Sequence, residues 1–115
     1  MSRTKTHLED INAEKALIGC ILLDPEVLDK LLGKTEKPLQ LFTSYSCKNL
    51  LVAMLKLSDT GKMVDRVTLS HELLKANKET NTIIFMDECE SLTPSSANWE
   101  YSLGILNDLH KARET

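Results

Sequence analysis

A lysine preceded by glycine, a scatter of histidines and a run of carboxylates are the residues here whose types could do chemistry, and their spacing decides each case. Gly61 and Lys62 in "TGKM" would cradle a nucleotide phosphate if a second glycine stood five positions before Gly61 and a Ser or Thr followed the lysine; Lys56 and Met63 occupy those places. No phosphate-binding loop is encoded. His7, His71 and His110 include no pair that would set two ligands on one helical face beside a carboxylate, so each reads as a solvent-facing side chain rather than a metal ligand. Asp87, Glu88 and Glu90 in "MDECESL" share an amphipathic segment and read as its solvated face. Ser44, Ser46, Ser70, Ser95 and Ser96 lack the histidine and acid that activate a nucleophile, and turn or cap roles account for Ser95 and Ser96. Cys20, Cys47 and Cys89 are odd in number, form no CxxC and sit among apolar neighbours, as buried thiols of a reducing cytoplasm do. The expectation is a chain with no catalytic residue, no cofactor-binding residue and no metal ligand.

The elements that must carry these residues are helices. With 115 residues the chain is one domain with a single modest core, and 42% apolar against 27% charged residues suits a globule. A net charge of −3 with no long basic run excludes a strong grip on a phosphate backbone. No apolar run is long enough to span a bilayer, and "MSRTKTHLED" has no apolar segment after its basic residues, so neither a membrane span nor a signal peptide is read.

"INAEKALIGCILL" places Ala13, Ala16, Leu17, Cys20 and Ile21 at helical spacing, with Glu14 in the first turn where the helix dipole favours a negative charge. In "DPEVLDKLLG" Asp24 caps, Pro25 opens the next helix, Val27, Leu28, Leu31 and Leu32 form its stripe, and Gly33 is read as the stop. A loop returns Leu39, Leu41 and Phe42 to the core. A third helix over about 44–59 buries Cys47, Leu50, Leu51, Met54 and Leu55, and Gly61 suits a left-handed end. A fourth helix is expected from Thr68 to about Ala76. "KETNT" is a turn, "IIFMDECESL" a fifth helix, "TPSS" a turn and "ANWEYSLGILNDLHKARE" a sixth helix. The fold class expected is all-α: a compact globule of about four helices over 11–80, after a flexible arm at 1–10, then a C-terminal helical hairpin over 81–115.

The sixth helix carries more apolar surface than one core needs. Trp99, Tyr101, Leu103, Ile105, Leu106, Leu109 and Ala112 cover an arc of roughly 200° when projected at about 100° per residue. Packing under a loop or on the fifth helix would account for part of this arc. The reading preferred is an intermolecular surface on this helix that takes in Trp99, Tyr101, Leu103, Leu106 and Leu109; the chain's single Trp and one of its two Tyr stand in it. On that reading, polar replacements of Trp99 and Leu106 dissociate a dimer and leave the domain folded.

Four stretches in order carry a family resemblance: "NAEKALIGCILLDPEVLDKLL", then "LF" before the third helix, then "GKMVDRVTLSHEL", then "TPSSANWEYSLGIL". They resemble the N-terminal domain of the replicative DnaB-type DNA helicase, with its A-E-x-A-L-x-G-x-x-L-x-D-P start, a phenylalanine before the third helix, G-x-P-V-D-x-V-T-L, and a T-P-S-x-A-N turn into a tyrosine-bearing helix. The resemblance spans about 11–112. Met63 stands where the family has proline and Cys47 where histidine is common, while "ETNTI" replaces a glycine-containing stretch. These departures mark a divergent member, of the kind a phage or plasmid carries.

The resemblance implies a non-catalytic collar domain whose missing nucleotide site is expected, because ATP and Mg belong to a separate RecA-like ATPase reached through a linker. "HKARET" lacks a helix stop, in keeping with a chain that continues. It further implies self-association as dimers through the hairpin, where Phe85, Cys89 and Leu92 join that surface and Thr93, Pro94 and Ser95 form the tip, three dimers building a hexameric ring, and docking of the primase C-terminal domain and a helicase loader. DNA would be met only by the full-length protein, in the cytoplasm of a bacterium or of a phage's bacterial host. The competing readings are the helicase-binding C-terminal domain of a primase, and a stand-alone helical adaptor of the replisome. The A-E-x-A-L-x-G start and T-P-S-x-A-N turn argue for the helicase side.

Overall fold

The computed structural model describes residues 10–75 and 82–114, with the backbone alone at Thr82 and Ile83. Positions 1–9 of the expected N-terminal arm, His7 among them, the "KETNT" turn and the end of the fourth helix near Ala76 lie outside the described side chains, while Asp10, the last residue of that arm, belongs to the start of α1. Six α-helices follow one another: α1 (Ile11–Leu23), α2 (Glu26–Lys34), α3 (Tyr45–Asp59), α4 (Arg66–Lys75), α5 (Thr82–Ser91) and α6 (Trp99–Glu114). Short 3₁₀ turns at Pro38–Leu41 and Ser96–Asn98 complete the order, and no strand occurs among the described residues.

Local chemistry sets the ends. Asp10 accepts from the Ala13 amide at 3.0 Å and starts α1. Ser44 accepts from the Cys47 amide at 3.3 Å and starts α3. Gly61, at φ 73°, ends α3, where the Lys62 and Gly61 amides donate to the Leu57 and Ser58 carbonyls at 2.9 and 3.1 Å. That pair of bonds needs a left-handed residue, which glycine adopts without a Cβ penalty. The second expected glycine stop is corrected: α2 runs through Gly33 to Lys34, and the residue that leaves the helix is an extended Thr35.

The fourth helix starts two residues earlier than its apolar pattern suggests. Asp65 accepts from the Thr68 amide at 2.8 Å, and its own amide donates to the Thr68 hydroxyl at 3.0 Å. This reciprocal box satisfies two groups at once and fixes the start of α4 at Arg66. The bond from the Thr68 amide holds the Asp65 carboxyl below the usual aspartate range, against a smaller effect of burial. Its stabilisation is complete above the unfolded aspartate value and lost as pH falls through the lower folded value. Asp65→Ala is expected to cost about 1 kcal/mol at neutral pH, and urea titrations of both proteins should show the gap narrowing below about pH 4.

The core is organised around α1. Leu17, Ile18, Cys20 and Ile21 are fully buried on several sides of this helix, which packs against α2, α3, α5 and α6. One hydrophobic cluster takes in α1 to α4 and also Met86, Cys89, Trp99, Leu103 and Leu106. The last two helices both lean on α1 and share the hydrophobic cluster of the globule.

Gly19 marks the tightest approach, because a Cβ there would overlap the Thr93 hydroxyl and the Cys89 carbonyl of the α5 end. The Thr93 hydroxyl lies 2.8 Å from the Cys89 carbonyl and 3.1 Å from that of Ala16, pinning the end of α5 to α1. Gly19→Ala raises helix propensity yet should lower stability by about 2 kcal/mol, read as a reduced urea midpoint.

Candidate functional site

The carboxylates read as a solvated face do lie at the surface, Asp87 and Glu88 exposed and Glu90 half-buried, and each also pairs with a cation of a neighbouring helix. Arg66 at the start of α4 reaches Asp87 at 2.6 Å and Glu90 at 2.9 Å on α5. Lys15 of α1 pairs with Glu88 at 3.2 Å while its ammonium stands 5.7 Å from the Phe85 ring centroid. Phe85 is therefore half-buried beneath a cation. The signal for these clamps is invisible along the sequence, since the partners lie 21 to 73 residues apart.

Another carboxylate does more. Glu14 is fully buried and accepts from the Ser44 amide at 2.8 Å, the Thr43 amide at 3.0 Å and the Thr43 hydroxyl at 2.6 Å. It stands at the N-terminal end of α3, where amides lack intrahelical partners and the dipole favours an anion. The sequence places Glu14 in the first turn of its own helix, whereas the fold uses it to start another.

The predicted surface residues divide sharply. Cys89, Trp99, Leu103 and Leu106 are buried at 0, 9, 5 and 1% exposure, so the expectation that polar changes at Trp99 and Leu106 spare the fold is corrected. The wide apolar arc of α6 has several neighbours within the domain: α1, the Pro38–Leu41 turn and the Ser96–Asn98 turn. Arg113 adds a bond to the Gln40 carbonyl at 3.1 Å. Leu109 is half-buried. Thr93 is buried as the α1 pin, while Pro94 and Ser95 are exposed, and Ser95 accepts from the Ala97 amide at 3.1 Å. Leu92 and Tyr101 remain on the surface at 39 and 75% exposure.

Those two residues belong to a groove of about 260 Å³ between the first half of α1, the connection around Leu92–Asn98 and the start of α6. Ala13, Ala16 and Ser102 keep it open by being small, and Leu92, Tyr101 and Ile105 supply apolar walls. The two motif stretches that begin and end the chain thus build one concavity. The sequence marked Ala13 and Ala16 only as part of an apolar stripe and Ser102 not at all, because their value here lies in what their short side chains leave unfilled. A further apolar surface lies on the outward side of α4, where Val67 and Leu74 are exposed at 67 and 58%, with Met63 preceding it at 71%.

Among the described residues no three His, Cys, Asp or Glu side chains gather as a metal site. His71 is exposed, and His110 stands 3.5 Å from Glu114. Burial pushes the Cys20 and Cys47 thiols up to about 11 and that of Cys89 higher still, which suppresses the thiolate that nucleophilic or metal chemistry needs. No described helix is long and apolar enough to cross a membrane. The site can bind through shape, apolar contact and charge.

The profile of the DnaB-like helicase N-terminal domain family matches residues 6–108. The chain is 32% identical over 102 residues to the replicative DNA helicase DnaC of Bacillus subtilis (strain 168). It is 29% identical over 105 residues to the replicative DNA helicase DnaB of Geobacillus stearothermophilus. Each alignment covers 87% of this chain and 22% of the relative, so the chain spans about a fifth of the length of the curated relatives it matches.

Proposed function

The chain belongs to the DnaB-like helicase N-terminal domain family, and on that premise we propose that it serves as the non-catalytic collar domain of a hexameric replicative DNA helicase. In this role it binds other proteins: copies of itself, as dimers that build the ring, and the C-terminal domain of primase or a helicase loader. ATP, Mg and DNA are engaged by other parts of the full-length protein, in the bacterial cytoplasm. The observation that carries the reading is the family match across the domain, joined to a surface whose means of recognition are a groove and exposed apolar side chains.

The domain would act by linkage. A collar built of pairs has more than one arrangement, and a partner that binds one arrangement better shifts the ring towards it without any bond being made or broken. Two measurements test this. The 115-residue chain should be captured by an immobilised primase C-terminal domain, and its sedimentation coefficient should rise with concentration. Failure of capture together with a concentration-independent monomer would overturn the proposal.

A further inference from the structure

The outward face of α6 contains a glycine that the domain does not use. Gly104 lies in mid-helix, exposed, with nothing within 4 Å of where a Cβ would stand. Glycine there costs about 1 kcal/mol of helix stability relative to alanine, and neither crowding nor a positive φ inside this chain requires it. A close backbone approach from outside the chain would make use of it. The groove adjoins this point, because Tyr101 and Ile105 wall it and lie within one turn of Gly104.

Charge decides what approaches. Glu100, Gly104 and Asp108 follow each other at intervals of four, on one exposed row of α6, so two carboxylates flank the glycine about 12 Å apart along the helix. Asp10 stands at the groove and adds a third acid, while Lys111 lies one turn beyond Asp108. A second copy crossing antiparallel at Gly104 would set Glu100 against Asp108 twice, and a parallel crossing would set each acid against its like. Both are repulsive.

We propose that this face is a docking site for a basic amphipathic helix of a different protein. That helix crosses α6 at Gly104, sets Lys or Arg against Glu100 and Asp108, and inserts an aliphatic side chain into the adjoining groove. The assignment deepens the partner-binding role above and rests on it.

The test uses the whole 115-residue chain, its Gly104→Gln variant, and two synthetic helical peptides. One peptide carries a leucine stripe flanked by lysines, and its twin carries glutamates in their place. Gly104→Gln keeps α6 folded, because it replaces glycine with a better helix former at an open position. The lysine peptide should bind the parent chain at least about tenfold more tightly than the glutamate twin, and at least about tenfold more tightly than it binds Gly104→Gln. Its amide shift changes should centre on Ala16, Gly104 and Ile105. Equal binding of the two peptides, equal binding to the two chains, or no binding of the lysine peptide overturns the assignment. Capture by the primase domain separates the two proposals. If both chains are captured equally, partner docking stands and this face is not the site; if neither is captured, the docking role itself fails.

Discussion

Glu14→Ala should lower unfolding free energy by about 4 kcal/mol, a large share of the 5 to 15 kcal/mol typical of a domain. The change removes a fully buried carboxylate that accepts from two amides and a hydroxyl at the start of α3. The Thr43 and Ser44 amides would then face a small cavity with no acceptor, and an unsatisfied buried donor costs about 1 to 3 kcal/mol. Glu14→Gln is a sharper probe because it keeps the shape. Its amide oxygen can accept from Ser44, but its NH₂ then points at a site that presents an N–H at Thr43, so about half of the loss should remain. Urea unfolding followed by helical circular dichroism measures both. A Glu14→Ala chain as stable as the parent would mean that solvent already satisfies the α3 end.

Leu106→Asn is the second large effect, and it separates core from interface. Leu106 is 1% exposed within the cluster around α1, so the change leaves a cavity and buries an amide. About 4 kcal/mol should be lost, visible as a lower urea midpoint in the monomer at high dilution. Tyr101→Ser, at a 75% exposed position of the same helix, should alter stability by less than about 0.5 kcal/mol. If Leu106→Asn instead left the midpoint unchanged and only lowered the sedimentation coefficient, Leu106 would face a partner molecule.

The contrast between the two glycines of the same helical class makes the physical point general. Gly19 and Gly104 both stand inside helices, and propensity alone assigns them the same cost. Their surroundings differ: α5 and Thr93 close over the first, and open space surrounds the second. Alanine is therefore expected to be harmful at one and mildly stabilising at the other. No local rule distinguishes them.

What the sequence determined by itself lies within a turn or two of each residue, although the Asp65 and Thr68 box and the end of α2 beyond Gly33 escaped it even at that range. The all-α class, the extents of α1 and α3, the left-handed end at Gly61, the α3 stripe of Cys47, Leu50, Leu51 and Met54 (with Leu55 half-buried and Leu57 buried in its stead) and the buried character of the three cysteines follow from periodicity, capping chemistry and apolar content, which act over a few residues. Family membership was legible for a related reason, since order and spacing of short motifs survive in one dimension. Tertiary structure alone decided which part of the apolar arc on α6 became core, that Glu14 would serve a helix 29 residues away, that Arg66 would clamp Asp87 and Glu90, and that Thr93, in the turn between α5 and α6, would be pinned to α1. Each depends on where a distant backbone presents an unpaired amide, a carbonyl or a charge. Periodicity records how apolar a face is, but the choice between neighbour and solvent for that face is made only when the other helices arrive.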